Sequence, residues 1–358
     1  MAMQPFAGRA AVAGIGMTAL TRASGRTELE LAVEACRAAC ADAGIEAREV
    51  DSVLSYHLND SVPVTQVARA LGMERLGWHN DVAGGGTQAA SILGDAAMLI
   101  HAGLARNILI YRALNGRSGK RMNAVSTGPQ ERFTYGMAGP IPMFAMAATR
   151  YLHETGLDER HLHAVVAQSR ENAAANPRAL RREPLPYEDY LARPYVCTPL
   201  RTVDCCQETD GACALLISGV LDGPRVQAVV RGGGPGSSAM DRAPDVTAIF
   251  SAYVAPALWR ASGMRASDVD VAMLYDAYSW LVPRQLEDFG VVGRPELGPY
   301  LMERRHAWVN PHGGLLSEGY VHGLNNVAQA VRELRGGRAV ALVTGFGGSY
   351  GSAALLAS

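Results

Sequence analysis

Apolar and polar positions alternate along this chain in blocks of strand and helix length. AAVAGIGMT is an apolar run that predicts a buried strand, SGRTELELAVEACRAACADAGI has the length and spacing of a helix, and EVDSVLSYH predicts a second strand. Ser24 is a plausible N-cap for that helix and Gly44 a plausible stop. The first part of the chain therefore opens as strand, helix and strand.

The same order of blocks recurs in the second half. AYVAPALWRASGMRASDVDVAMLYD repeats the first helix and second strand, so that Gly263, Val269, Asp270 and Tyr275 follow Gly44, Val50, Asp51 and Tyr56 at one constant spacing. The loop AGGG precedes a helix and the strand ARNILIYRA, and HGG leads through GYVHG to a helix and the strand RAVALVTGF. This alternation predicts a mainly parallel sheet covered by helices, present twice with pseudo-twofold symmetry.

The duplication predicts two structural halves, residues 1–222 and residues 223–358. A polar, arginine- and proline-rich insertion runs from about 115 to 202 in the first half. MAGPIPMFAMAATRYLHETG predicts a helix there, whereas ANPRALRREPLPYEDYLARPY predicts a loop with little regular structure. A long insertion inside a compact enzyme is typical of a lid or a segment that shapes the substrate site.

Composition and charge narrow the possible partners. The 358 residues are 48% hydrophobic, which is enough for a large core, and 33 basic residues nearly balance 34 acidic ones. We therefore expect neither nucleic acid nor an anionic membrane as partner. No secretory signal and no apolar run of about 18 residues is visible, and none of the six cysteines has CxxC spacing. These observations predict a reduced, cytoplasmic protein without a structural zinc site of its own.

The duplicated halves, the NPxGG turn followed by a glycine–aromatic pair, and the glycine loop that opens a helix resemble the thiolase superfamily. The resemblance covers nearly the whole chain. It implies a thiolase-like fold of duplicated βαβαβ halves in five layers, α/β/α/β/α, with three loops that converge on an active site at the pseudo-twofold axis. In that family a cysteine nucleophile, an HDCF or NEAF residue, a GHP histidine and a CxG cysteine form the site.

When the four family motifs are aligned with this chain, neither of the two cysteine positions holds a cysteine. NDVAGGGTQAA places Ala83 on the nucleophile, LYDAYSW places Tyr275 on the HDCF position, SEGYVHG places Tyr320 on the GHP position, and VTGFGGSYG places Gly345 on the second cysteine. Alanine and glycine cannot carry an acyl group, so covalent thiolysis is poorly supported. Two phenols remain, and hydrogen-bond donors aimed at a thioester oxygen stabilise an enolate.

The segments SGRTELELA, YRALNGRSGKR, DCCQETDGA and HGGLLSEGYVHG resemble one branch of the superfamily, the lipid-transfer-protein-like aldolases of bacterial steroid degradation. The resemblance implies retro-aldol cleavage of a 17-hydroxy steroid bearing a CoA-activated side chain, giving a 17-ketosteroid and a short acyl-CoA such as propionyl-CoA. It also implies a homodimer and a small OB-fold, zinc-ribbon partner of the domain-of-unknown-function-35 type. Zinc would belong to that partner, and CoA would enter only as part of the substrate.

Two other functions stay open at this point. One is carbon–carbon bond formation of the aldol or Claisen type in a biosynthetic pathway. The other is a non-catalytic scaffold that binds acyl-CoA or lipid, which the loss of both cysteines also fits. Phenols at both former catalytic positions argue against a scaffold, because a dead site has no reason to keep them.

The predicted site residues are Tyr320, Tyr275, His322 and Tyr350. Tyr320 would act as acid toward the enolate, and Tyr275 would hold the thioester oxygen or act as base on the hydroxyl; packing is the alternative for both. His322 either caps the following helix or orients the phenol, and Tyr350 lies beside the lost second cysteine. Tyr253 and Tyr300 are weaker candidates for a third phenol.

Two further motifs have a plain and a chemical interpretation. The turn from Asp204 to Asp210 contains adjacent cysteines, which rarely share a tetrahedral metal site, so a structural turn is favoured over metal binding. Arg117, Lys120 and Arg121 in NGRSGKR could contact CoA phosphates or a dimer mate, or lie in a solvated loop. The AGGG loop is a weak match to a phosphate motif and is better explained as a glycine turn that lets a helix point into the cleft.

Overall fold

The first part of the chain alternates strands and helices, as its apolar pattern predicts. The structure is a computed structural model that describes residues 4–119, 121, 134–137, 139–235 and 243–358. Lys120 and part of the predicted insertion lie outside the described residues. The elements before the insertion are β1 (Ala11–Met17), α1 (Glu28–Asp42), β2 (Ser52–His57), α2 (Val64–Ala70), β3 (Trp78–Ala83), α3 (Gln88–His101) and β4 (Asn107–Asn115).

The insertion is more helical than the sequence predicts. The helix expected in its first part is confirmed, but the proline-rich segment expected to lack regular structure contains a short helix beginning after Pro186. Proline is compatible with a helix start because its missing N–H has no intrahelical partner there. The described elements are α4 (Ile141–Thr155), α5 (Glu159–Ala174), α6 (Tyr187–Leu191), β5 (Tyr195–Cys197) and β6 (Leu200–Arg201), and β7 (Asp210–Ser218) then completes the first half.

The second half repeats the plan of the first with a short β-hairpin in place of the insertion. Its elements are β8 (Arg225–Gly233), α7 (Ser251–Ser262), β9 (Val271–Met273), α8 (Leu281–Asp288), α9 (Leu297–Met302), α10 (Gly314–Ser317), α11 (Leu324–Arg335), β10 (Val340–Phe346) and β11 (Tyr350–Ala357). No helix among the described residues is long and apolar enough to cross a membrane.

Strand order shows the duplication directly. In the described residues the first half runs β3–β2–β4–β7–β1 and the second runs β8–β11–β10–β9, with Val309 bridged in parallel to Ala272 where β3 lies in the first half. Counted from the outer edge of each half, two parallel pairings are followed by two antiparallel ones. In the second half the outermost parallel pairing is the bridge between Val309 and Ala272. The half-sheets meet edge to edge where Ala11 pairs with Arg225, so hydrogen bonds continue from one half-sheet into the other.

The repeated residues have the same structural roles in both halves. Gly44 and Gly263 both follow a helix in the left-handed region, with φ of 71° and 73°. The carboxylate of Asp51 accepts a hydrogen bond from the N–H of Arg106 at 2.9 Å, and that of Asp270 accepts one from the N–H of Val340 at 2.9 Å. Each aspartate thus ties the start of one strand to the next strand of its sheet.

The expected N-cap of the first helix was placed three residues early. Thr27 is the N-cap, and it forms a capping box in which its hydroxyl accepts from the N–H of Glu30 while the Glu30 carboxylate accepts from the N–H of Thr27. The Ser24 hydroxyl instead donates to the side-chain oxygen of Asn115 at 3.0 Å. The serine is therefore used to join the loop to β4.

Helices and sheets stack in five layers, which confirms the predicted fold. α1 covers the outer face of the first sheet and α7 the outer face of the second, while α3 and α11 lie between the two sheets. Three apolar clusters fill the spaces between layers, and the central one is built largely from the inner helices and the strands that face them. Both inner helices begin after glycine loops, which brings those loops together at the centre of the molecule.

Candidate active site

Three of the four predicted site residues meet at the centre of the molecule. The hydroxyl of Tyr275 donates to the hydroxyl of Tyr320 at 2.9 Å, and the Tyr320 ring lies edge-on to the His322 ring with centroids 4.8 Å apart. All three side chains are buried. Tyr350 is 42% exposed at the start of β11 and, within the part of the chain that the structure describes, makes no hydrogen bond or ring contact with the other three.

Main-chain contacts hold Tyr275 directly after β9. Its N–H donates to the hydroxyl of Thr344 at 2.8 Å, and its carbonyl accepts from the side-chain amide of Gln285 at 3.1 Å. The Thr344 hydroxyl in turn donates to the Gln285 amide oxygen at 2.7 Å. The Tyr275 hydroxyl lies so close to Gly86 that a Cβ at that position would be 2.0 Å from it. Glycine is therefore required at position 86, because the Tyr275 phenol fills the space that a side chain there would occupy.

Tyr320 is held by its backbone in the loop before α11. Its N–H donates to the hydroxyl of Thr209 at 3.1 Å, and that hydroxyl donates to the Tyr320 carbonyl at 2.8 Å. Gly319 precedes it with φ of 148°, in the region that favours glycine, and a Cβ there would lie 2.8 Å from the side chain of Leu20. These contacts hold Tyr320 where its hydroxyl meets that of Tyr275.

His322 lies on a buried ion pair that the sequence analysis missed. The Nε and Nη2 atoms of Arg112 lie 3.2 and 3.0 Å from the Nδ1 atom of His322, and Nη2 lies 2.6 Å from a carboxylate oxygen of Asp60. The hydroxyl of Tyr56 donates to the His322 carbonyl at 3.0 Å. The one signal in the sequence was an arginine inside the apolar strand β4, because a charge in such a place needs a partner.

Burial keeps the three central groups neutral. It raises the pKa of Tyr275 well above the usual value, and the neighbouring phenol of Tyr320 raises it further. Burial likewise raises the pKa of Tyr320, and it lowers the pKa of His322 to about 3, with the charge of Arg112 acting in the same direction. At neutral pH the phenols are therefore hydrogen-bond donors and weak acids, and neither is a phenolate.

Asp276 orders the loop beside the phenols. Burial raises the pKa of its carboxyl group to about 7, and the carboxylate accepts hydrogen bonds from the N–H groups of Leu315 and Leu316 at 2.8 and 3.3 Å. These contacts tie the segment after β9 to the NPxGG turn.

The cysteines do not supply a nucleophile at this site. Burial raises the pKa of Cys206, which packs near Tyr320, well above its usual value, and that of Cys205 to about 12. Both are therefore thiols rather than reactive thiolates. A Cβ on Gly345 would lie 2.5 Å from the Gly86 carbonyl oxygen, so no side chain fits where the family has its second cysteine.

The turn from Asp204 to Asp210 is structural in this arrangement. The Asp204 carboxylate accepts from the Ser279 hydroxyl at 2.7 Å and from the N–H of Arg201 at 2.8 Å, and the N–H of Cys206 donates to the Ala277 carbonyl at 2.9 Å. Among the described residues, no group of three or more metal-ligating side chains could hold an ion. The turn therefore joins the insertion to the strand end that carries Tyr275.

The fold and the paired phenols define a thiolase-like protein without the thiolase nucleophile, and comparison with known proteins agrees. Residues 232–356 match the family model described as thiolase C-terminal domain-like. The chain is 35% identical to the 17-hydroxy-3-oxo-4-pregnene-20-carboxyl-CoA lyase of Mycobacterium tuberculosis, over 92% of each chain. It is also 35% identical to the steroid side-chain-cleaving aldolase of Thermomonospora curvata, over 93% of this chain and 92% of that one.

A solved structure supports the same assignment. The Ltp2–ChsH2(DUF35) aldolase superposes with a TM-score of 0.91 at 33% identity, covering 99% of both chains. The chain belongs to the thiolase superfamily, in the branch of the steroid side-chain-cleaving aldolases. The predicted family and fold are thereby confirmed, whereas the roles of the four site residues stay predictions.

The contact between Gly86 and Tyr275 can be tested by a minimal substitution. Gly86→Ala should lower the free energy of unfolding by about 1–3 kcal/mol, because the new methyl group forces the Tyr275 ring to move in a packed interior. Urea unfolding measures this. Gly232→Ala is the matched control, since a Cβ there meets nothing within 4 Å. Equal stability of the two variants would show that the phenol does not depend on the glycine.

Proposed function

We propose that this protein is a carbon–carbon lyase that cleaves a β-hydroxyacyl-CoA by a retro-aldol reaction. The substrate would be a 17-hydroxy steroid with a CoA-activated side chain, and the products a 17-ketosteroid and a short acyl-CoA such as propionyl-CoA. The observation that carries the proposal is the pair of neutral, hydrogen-bonded phenols at a thiolase site with no thiolate. The substrates in the names of the two 35% identical relatives support the steroid.

The hydrogen-bond direction between the phenols suggests how the protons move. Tyr275 donates to Tyr320, which leaves the proton of Tyr320 free for the substrate. When the Cα–Cβ bond breaks, its electron pair forms the enolate of the acyl-CoA, and the carbon that carried the hydroxyl becomes the ketone. Tyr320 would protonate the enolate, Tyr275 would pass its proton to Tyr320, and the substrate hydroxyl would pass its proton to Tyr275. No step of this relay requires a free phenolate, which the buried site disfavours.

An arginine-rich cavity fits the nucleotide end of CoA. It has a volume of about 630 Å³, and its lining includes a single acidic residue, Glu183, beside five arginines: Arg22, Arg170, Arg181, Arg182 and Arg193. Within the described residues the buried Nε of Arg170 and the buried Nη1 of Arg181 have no hydrogen-bond partner. Burial and the neighbouring arginines lower the pKa of Arg170 to about 10. Guanidinium groups with N–H donors left unpaired are suited to phosphate oxygens.

The cavity is joined to the phenol site through two chain segments. The N–H of Arg181 donates to the Ser317 carbonyl at 3.0 Å, in the segment that leads to Tyr320. Thr202 and Val203, which also line the cavity, precede the turn whose Cys206 packs near Tyr320. In the proposed arrangement a ligand with phosphates in the cavity would extend its acyl end toward the phenols, and the insertion would shape the substrate site.

An exposed strand supports a homodimer. β3 forms one edge of the sheet, and its residues Trp78, His79 and Asn80 are exposed, with Trp78 42% exposed. An uncovered edge strand is a template for pairing with a second chain. We propose that two copies pair there, and that each also binds a small OB-fold, zinc-ribbon protein of the domain-of-unknown-function-35 type, as the name of the Ltp2–ChsH2(DUF35) structure suggests.

Under this proposal the chain needs no cofactor of its own. CoA would enter as part of the substrate, and zinc would be confined to the partner. Six free cysteines fit a reduced, cytoplasmic setting.

Mass spectrometry of products tests the reaction. The chain, with and without its co-expressed OB-fold partner, should release a 17-ketosteroid and propionyl-CoA from a 17-hydroxy steroid CoA thioester. Tyr320→Phe and Tyr275→Phe should each lower kcat/KM by about 10²- to 10³-fold, because each removes a donor or a relay step from a water-excluded site. Tyr111→Phe, a buried phenol that donates to the Val62 carbonyl, is the matched control. Acetoacetyl-CoA formed from acetyl-CoA would overturn the proposal.

The arginine cavity makes a separate prediction about binding. Arg181→Ala should weaken CoA binding by about tenfold, measured by calorimetry, and added salt should weaken it further. Binding of a pantetheine thioester without the nucleotide should not change. Arg260→Ala, at an exposed arginine of α7, serves as control. An equal loss of affinity for the pantetheine thioester would show that the phosphates bind elsewhere.

Sedimentation tests the assembly. The 38.0 kDa chain should sediment at twice its mass, and Trp78→Lys should shift it toward the monomer, because a lysine on an edge strand opposes pairing. Met302→Lys, also at an exposed apolar residue, should leave the dimer intact. A wild-type chain that stays monomeric at all concentrations would exclude the β3 dimer.

A further inference from the structure

The two ring nitrogens of His322 have different surroundings, and the difference determines where the ring proton lies. Nδ1 faces the guanidinium group of Arg112, with Nε at 3.2 Å and Nη2 at 3.0 Å. Nε2 is buried, has no hydrogen-bond partner in the described residues and lies 3.9 Å from a carboxylate oxygen of Asp60. An arginine side chain has only N–H donors, so Nδ1 must be the acceptor.

A neutral imidazole that accepts at Nδ1 carries its proton at Nε2. Burial lowers the pKa of His322 to about 3, and Arg112 acts in the same direction, so the ring is neutral over the physiological range. Burial alone would raise the pKa of Asp60, but Arg112 and His322 hold it below its usual value, so the carboxylate stays charged. The charges of Asp60 and Arg112 balance each other beside a neutral ring.

Packing and backbone contacts hold His322 beside the glycine loop. A Cβ on Gly85 would lie 3.3 Å from the Cε1 atom and 3.4 Å from the Nδ1 atom of His322, so the glycine loop packs against that edge of the ring. The backbone of His322 has φ of 47°, which is uncommon for a residue other than glycine, and the Tyr56 hydroxyl holds its carbonyl. The ring in turn contacts the edge of Tyr320.

We propose that Arg112, held by Asp60, is a positioning residue that fixes His322 as the neutral tautomer protonated at Nε2. His322 is then unable to act as general base. Its ring instead packs against the Tyr320 phenol in one fixed orientation. The inference rests on the proposed function only in placing Tyr320 in the active site. Its structural part, the tautomer, stands independently of any activity.

The groups that face His322 predict how the ring would titrate without Arg112. Arg112 on β4 and Asp60 after β2 are the charges, and Tyr56 on β2 and Tyr320 are neutral neighbours. Replacing Arg112 with a neutral residue removes the cation and leaves Asp60 beside a ring whose Nδ1 is free. Protonation of His322 then becomes favourable as the pH falls, which the native arrangement prevents.

Nitrogen NMR of protein labelled at histidine tests the tautomer directly, with His322→Asn used to assign the signal. In the wild type we expect the Nε2-protonated form, with no titration between about pH 5 and 8. Arg112→Gln should make the signal titrate in that window. Arg112→Lys, which keeps a cationic donor, should suppress the titration. Arg201→Gln, which breaks the partly buried pair with Glu159, is the control and should not make His322 titrate.

Kinetics gives the second measurement. Arg112→Gln should lower kcat on the order of 10- to 100-fold with little change in KM and should add an acid limb to the pH profile of kcat/KM, whereas Arg112→Lys should recover part of the rate. A wild-type ring protonated at Nδ1, or one that titrates near neutrality, would overturn the proposal. So would an unchanged pH profile in a folded Arg112→Gln protein. If that variant does not fold, the wild-type and Arg112→Lys spectra decide. Failure of the aldolase assay would leave the NMR result intact.

Discussion

The hydrogen bond between Tyr275 and Tyr320 is the contact on which the rest of the site depends, and it requires three chain segments to meet with no side chain between them. Tyr275 comes from the end of a strand and Tyr320 from the loop before an inner helix. Gly86, before the other inner helix, leaves the space that the Tyr275 hydroxyl fills. No side chain larger than glycine fits at position 86, because a Cβ there would lie 2.0 Å from the Tyr275 hydroxyl.

Burial has opposite consequences for the groups around this contact. The phenols are favoured in their neutral form, because burial would deprive an oxyanion of its hydration. The Asp60 carboxylate stays charged because the guanidinium group of Arg112, 2.6 Å away, holds its pKa below the usual value. The arginines of the large cavity differ from both cases, since they are close together and lack carboxylate partners among the described residues. This contrast distinguishes the neutral phenol pair from the cationic cavity.

The constant spacing of equivalent residues was sufficient to predict the duplication, and the resemblance of the motifs to the thiolase superfamily implied the layered fold and the positions of the two phenols. Prediction was weaker wherever a local rule competed with a distant contact. Ser24 satisfies the rule for an N-cap, yet its hydroxyl bonds Asn115, and Thr27 caps the helix. Tyr350 lies beside the lost cysteine in sequence, and it is 42% exposed without a hydrogen bond or ring contact to the phenol pair among the described residues.

The sequence by itself determined which residues occupy the former thiolase positions and therefore excluded a thiolate at each of them. Only the tertiary structure decided which groups support those residues. Arg112 and Asp60 reach His322 from separate segments, and the cavity combines four arginines of the insertion with the distant Arg22. Such groupings leave no periodic pattern, because the distances that create them are set by the packing of layers and not by spacing along the chain.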